Sequence, residues 1–136
     1  MTLQKNMDFH GKTALLVDPD PVFSALLANH LKKNGFRTTR VSTLAEAEKL
    51  LKTRRFDLAV SEIILEYPDS GFVLCWKIKR KTPETRIILV SGVTLESGLH
   101  FNLAGADEKN WIRADSILDK EIRLEQFDHE LLRIFR

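Results

Sequence analysis

Acidic and hydroxyl side chains follow directly on short apolar runs at three places in this chain. Leu15-Leu16-Val17 runs into Asp18-Pro19-Asp20, Leu58-Ala59-Val60 into Ser61-Glu62, and Ile87-Ile88-Leu89-Val90 into Ser91. Brought into one cleft, the carboxylates of Asp18, Asp20 and Glu62 repel one another. Either a cation joins them or at least one holds its proton to a raised pKa. Asp18 and Asp20 offer oxygens to a hard cation, and Asp20 is equally suited to capping a helix that begins at Pro21. Ser91 has two readings as well: a hydroxyl that bonds Glu62, or a strand-end serine that satisfies backbone.

These residues converge only if the runs that precede them lie side by side. Strands are predicted at Thr13 to Val17, Arg37 to Val41, Leu58 to Glu62, Arg86 to Val90 and, as a short fifth strand, Asn110 to Arg113. A first helix opens at Asp20-Pro21 and stops at Asn34-Gly35, with Phe23, Leu26, Leu27 and Leu31 at helical spacing. Thr43-Leu44-Ala45-Glu46 has the form of a capping box, and Leu44, Ala47, Leu50 and Leu51 form the apolar stripe behind it. A third helix is predicted from Gly71 to Arg80, a fourth from Leu95 to Ala104, and a fifth from Ser116 to Phe135. Strands alternating with helices predict an α/β fold, a doubly wound parallel sheet covered on both faces. The polar second strand suits an edge, so the expected order is 2-1-3-4-5. Ligand sites in such sheets lie outside the carboxyl ends of the strands, at the point where the order reverses.

At 136 residues the chain reads as one domain, with residues 11–136 as its body and residues 1–10 as an N-terminal extension. A net charge of +2 does not by itself point to nucleic acid. Lys32-Lys33, Arg54-Arg55 and the run from Lys77 to Lys81 read as solvated helix faces. The single cysteine, Cys75, excludes a disulfide within the chain, fits a cytoplasmic setting and reads as a packing thiol. No apolar run is long enough to span a bilayer. Gly11-Lys12-Thr13 lacks the earlier glycine of a phosphate-binding loop and precedes a strand, and the four histidines have no metal-ligand spacing.

The chain resembles the receiver domain of two-component response regulators. Leu15-Leu16-Val17-Asp18-Pro19-Asp20-Pro21 resembles its first acidic motif, and Phe56-Asp57-Leu58-Ala59-Val60-Ser61-Glu62 the strand that ends in the phospho-accepting aspartate. Leu89-Val90-Ser91-Gly92 resembles the segment with the switch hydroxyl, and Ala104-Gly105-Ala106-Asp107 the lead into the fifth strand. The resemblance implies a flavodoxin-like receiver fold, phosphoryl transfer to an aspartate with Mg²⁺ and a lysine, and a working surface on the fourth helix, fifth strand and fifth helix. Leu95, Leu99, Trp111 and Phe127 are candidates on that surface.

Against the family pattern the sequence departs at nearly every chemical part. Glu62 holds the phospho-acceptor position; its extra methylene moves the carboxylate by roughly 1.5 Å, and a misplacement of that order costs about 100-fold where catalysis is mostly positioning. Pro19 replaces the second acid of the pair. Counting from Gly105 places the family's lysine at Ile112 and its aromatic switch at Lys109, so Arg113 is the candidate substitute cation. Glu66 replaces a loop proline, and Gly71 comes one residue late.

The expectation is a pseudo-receiver: a non-enzymatic module of a phosphorelay, not phosphorylated at the usual position and acting through protein contacts. Its partners would be a histidine kinase, a phosphotransfer protein or an effector, or a second copy of the chain through the working surface, with neither nucleic acid nor membrane. No cofactor is expected. The alternative is a Mg²⁺-dependent acceptor that uses Glu62, Asp57 or Asp69, the ion held by Asp18, Asp20 and Glu62.

Overall fold

The computed structural model describes residues 8–92, 113–121 and 123–136. Five parallel strands, β1 (Thr13–Val17), β2 (Arg37–Val41), β3 (Leu58–Glu62), β4 (Arg86–Ser91) and β5 (Ser116–Asp119), form one sheet in the order β2-β1-β3-β4-β5. The described helices are α1 (Pro21–Lys33), α2 (Leu44–Leu51), α3 (Ser70–Lys81) and the C-terminal α4 (Leu124–Ile134). The expected strand order is observed.

Strand alternation sorts the core onto two faces. Ala14, Leu16, Leu58, Val60, Ile88 and Val90 pack with Leu27 and Leu31 of α1 and with Phe127 and Leu131 of α4. Leu15, Val17, Ala59, Ile87 and Leu89 pack on the other face with Ala47 of α2 and with Leu74, Cys75 and Ile78 of α3. Leu118 belongs to the first face and Ile117 to the second. Asp18, Glu62 and Lys120 continue the even-numbered alternation of β1, β3 and β5, which is the phase of the α1/α4 face. Burial pushes the Cys75 thiol up, in keeping with a packing role.

Local chemistry sets the boundaries. The Asp20 carboxylate accepts from Val22 N–H (3.0 Å) and Phe23 N–H (3.3 Å) ahead of Pro21. Gly35 ends the α1 turn at φ +104°, where an added Cβ would lie 2.6 Å from His10 N. Thr43 and Glu46 close the expected capping box on α2. His30 of α1 and Asp128 of α4, both buried, meet at 2.6 Å, and Asn34 donates to the same aspartate oxygen at 3.2 Å.

The C-terminal third differs from expectation. The strand beside β4 is Ser116–Asp119, not Asn110 to Arg113, and the last helix starts at Leu124, not Ser116. The side chain of Asp115 fixes this register by accepting from Ile87 N–H (2.8 Å) while paired with Lys79 (3.0 Å). The predicted fourth helix, Leu95 to Ala104, and the candidates Leu95, Leu99 and Trp111 lie outside the described residues. Phe127 is core. Phe9, counted in the N-terminal extension, is buried against Phe36 (centroids 4.8 Å apart) and Phe135 (5.2 Å), so the packed body reaches at least to Phe9.

Candidate functional site

At the carboxyl rim of the sheet β1 ends beside Asp18, β3 ends in Glu62, and β5 runs directly into Lys120. The Lys120 ammonium lies 2.9 Å from Glu62 Oε1 and 3.0 Å from Asp18 Oδ1 and Oδ2. Of the aspartate oxygens, Oδ1 is in hydrogen-bonding geometry; Oδ2 has no hydrogen-bond partner among the described residues. Asp18 is 2% and Glu62 7% exposed. Glu62 Oε2 accepts from Ile63 N–H (2.6 Å) and Ile64 N–H (3.1 Å), and Asp18 Oδ1 also accepts from Asp20 N–H (2.9 Å). The Phe23 ring of α1 lies 5.0 Å from the ammonium, a cation–π contact on the same face.

The electrostatics follow from burial and this shared cation. Burial holds the Asp18 carboxyl above its ordinary value; the Asp20 N–H and Lys120 work against it, and the Glu62 charge adds slightly to the rise. For Lys120 burial alone would lower the pKa, but hydrogen bonds and charge attraction from Glu62 and Asp18 together outweigh it and hold the ammonium above its ordinary value.

The structure brings together Asp18 and Glu62. Asp20 contributes its backbone N–H, while its exposed side chain serves as the helix cap. Ser91 is buried at the end of β4, where its carbonyl accepts from Lys120 N–H at 3.2 Å. Arg113 is exposed and precedes β5 at the opposite rim, since Asp115 already lies alongside Ile87 near the start of β4. The substitute cation inferred from sequence is therefore corrected: Lys120, eight residues beyond Ile112, occupies the pocket. The same spacing moves the aromatic switch position from Lys109 to Ile117 and the residue after the lysine to Glu121. The sequence signal for this position is Ser116-Ile117-Leu118-Asp119-Lys120, a short apolar run ending in a lysine; it reads as helix because Ile117 falls in helical phase with Leu124.

The loop after Glu62 is held by unexpected means. Gly71 packs directly on that backbone: a Cβ there would lie 2.6 Å from Glu62 O and Ile63 Cα. Glu66, in the place of the family's proline, accepts from Leu44 N–H (2.6 Å) and Ala45 N–H (3.0 Å) and so caps α2 from a distant segment. The other acceptor candidates lie elsewhere. Asp57 Oδ2 accepts from Thr13 N–H (2.8 Å) at the amino end of β3, and Asp69 is exposed at the amino end of α3.

The family model of the response regulator receiver domain matches residues 14–131. Over 90 residues the chain is 33% identical to the adventurous-gliding motility protein Z of Myxococcus xanthus, a match covering 65% of this chain and 6% of that protein. A response regulator protein from Burkholderia pseudomallei, solved with a phosphorylated aspartic acid, a calcium ion and citrate, superposes with a TM-score of 0.70 at 26% identity, covering 88% of this chain and 66% of that one. The non-phosphorylated HemR receiver domain of Leptospira biflexa gives a TM-score of 0.69 at 25% identity, covering 90% and 93%. The chain thus spans less than two thirds of the motility protein and of the Burkholderia regulator. Receiver domains are signalling modules of two-component systems. With sheet order, pocket position and family match in agreement, this chain belongs to the response regulator receiver domain family.

Proposed function

We propose that this receiver domain signals through protein contacts with no phosphorylation cycle at the usual position, and that Glu62 keeps its pocket in one charge state. The observation that carries this reading is the Lys120 ammonium held between Glu62 (2.9 Å) and Asp18 (3.0 Å). Phosphoryl transfer depends on a carboxylate oxygen open to in-line approach and on precisely placed cations. Both oxygens of Glu62 already accept, one from Lys120 and the other from two backbone N–H groups.

The donor set does not fit magnesium. That ion takes near-octahedral oxygen ligands at about 2.0–2.1 Å. Pro19 has no carboxylate, Asp20 caps α1, and an ammonium already lies against both remaining acids. Among the described residues no group of three or more His, Cys, Asp or Glu is placed to hold a metal ion. The partner on this reading is a histidine kinase, a phosphotransfer protein or an effector.

One observation favours a second reading, a Mg²⁺-dependent acceptor. A lysine stands in the pocket, the group whose family role is to meet the phosphoryl oxygens. Incubation with acetyl phosphate and Mg²⁺ followed by intact mass separates the two. The unmodified mass supports the proposal, and a stoichiometric phosphate adduct that disappears in Glu62→Ala overturns it.

A further inference from the structure

The opposite rim of the sheet carries a groove of about 220 Å³ between the carboxyl-terminal halves of α2 and α3. Leu51 and Ile78 supply apolar lining, and Lys52, Arg54, Lys77 and Lys81 supply cations around it. Residues 48–55 and 76–84 contain eight basic and two acidic side chains, a net +6; the whole chain is +2, which leaves −4 for the remainder. Lys77 pairs with Glu48, Lys79 with Asp115 and Arg55 with Glu84. Lys52, Arg54, Arg80 and Lys81 have no carboxylate within ion-pair distance among the described residues.

Helix ends account for part of this, because Lys79, Arg80 and Lys81 lie in the last turn of α3, where a cation meets the negative end of the dipole. That does not explain the apolar lining or the cations contributed from the α2 side. A groove between two helices, apolar within and cationic around, is complementary to a helix with one apolar and one acidic face. A nucleic acid would meet the cations and leave the half-buried Leu51 side chain uncovered.

We propose that the α2–α3 groove docks an acidic amphipathic helix of a protein partner, an apolar side chain seated against Leu51 and Ile78 and carboxylates meeting Lys52, Arg54 and Lys81. The surface lies at the far rim from Glu62, so it does not depend on the state of that pocket. The test is amide chemical-shift titration of the whole chain with three probes: a designed helical peptide with leucines on one face and glutamates on the other, a peptide of the same composition in scrambled order, and duplex DNA. The expected result is a Kd below about 1 mM at low salt for the patterned peptide, shifts centred on Leu51, Lys52 and Ile78, and weakening as salt is raised. Lys52→Glu with Arg54→Glu weakens that binding about tenfold; Lys52→Ala provides a milder second variant, about threefold weaker, should the reversal disturb folding. Failure of the patterned peptide to bind, equal binding of the scrambled peptide, or tighter binding of DNA overturns the proposal.

Discussion

Replacing Lys120 by methionine removes the positive charge and keeps most of the aliphatic stem. Each contact near 3 Å is worth about 5.5 kcal/mol of Coulomb attraction at an effective dielectric constant of about 20, but that is not the cost of the substitution. The two buried carboxylates, left facing each other, avoid the full penalty when one takes up a proton. Protonating a carboxyl whose unfolded value is near 3.8 costs about 1.36 kcal/mol per pH unit above that value, hence about 4.4 kcal/mol at pH 7 and about 1.6 kcal/mol at pH 5. The loss expected for Lys120→Met is therefore about 3–4.4 kcal/mol at pH 7, in line with other broken buried pairs, shrinking by about 2.7 kcal/mol at pH 5. The sign follows from linkage: the folded variant binds a proton that the unfolded chain releases, so its stability falls as pH rises through that window. In the wild type, Lys120 has a raised pKa, so its contribution is complete below the ordinary value of 10.5 and disappears as pH climbs through the folded value. Urea unfolding of both proteins at pH 5 and pH 7 measures the difference. A loss below about 1 kcal/mol at pH 7, or the same loss at both pH values, would refute the reasoning.

Asp128→Ala leaves His30 and Asn34 facing a hole between α1 and α4, and is expected to cost about 3 kcal/mol in denaturant unfolding, with Asp128→Asn costing less. Gly71→Ala drives a methyl group against the Glu62 and Ile63 backbone at 2.6 Å and is expected to cost about 2 kcal/mol or more, with amide shifts centred on residues 62–66. Glu66→Ala uncaps α2 at a cost of about 1 kcal/mol at neutral pH. Partial burial works against it, yet the Ala45 and Leu44 N–H groups keep the Glu66 carboxyl below its ordinary value. Wild type and Glu66→Ala should accordingly converge as pH falls through that folded value.

The sequence was most readable where local chemistry decides. Asp20-Pro21, Asn34-Gly35 and Thr43 to Glu46 are self-contained signals, and the uninterrupted apolar runs of β1, β3 and β4 belong to strands buried on both faces. The pairing of Asp18 with Glu62 follows from those strands. The cation was misplaced because β5 is an edge strand of four residues, too short for a period-2 pattern to exceed a helical one. Its register is fixed by tertiary bonds of Asp115 to Ile87 and Lys79, which no local pattern announces. Counting forward from Gly105 assumed a connection eight residues shorter than the real one. The Glu66 cap was hidden for a related reason: donor and acceptor lie 22 residues apart.

The pocket's counter-ion is tethered to the chain itself, on the residue that follows β5. Chelators cannot withdraw it, dilution cannot lower its occupancy, and no competing divalent ion can take its place without first displacing a tethered side chain. One ammonium per molecule thus faces Asp18 and Glu62, placed there when the chain is translated.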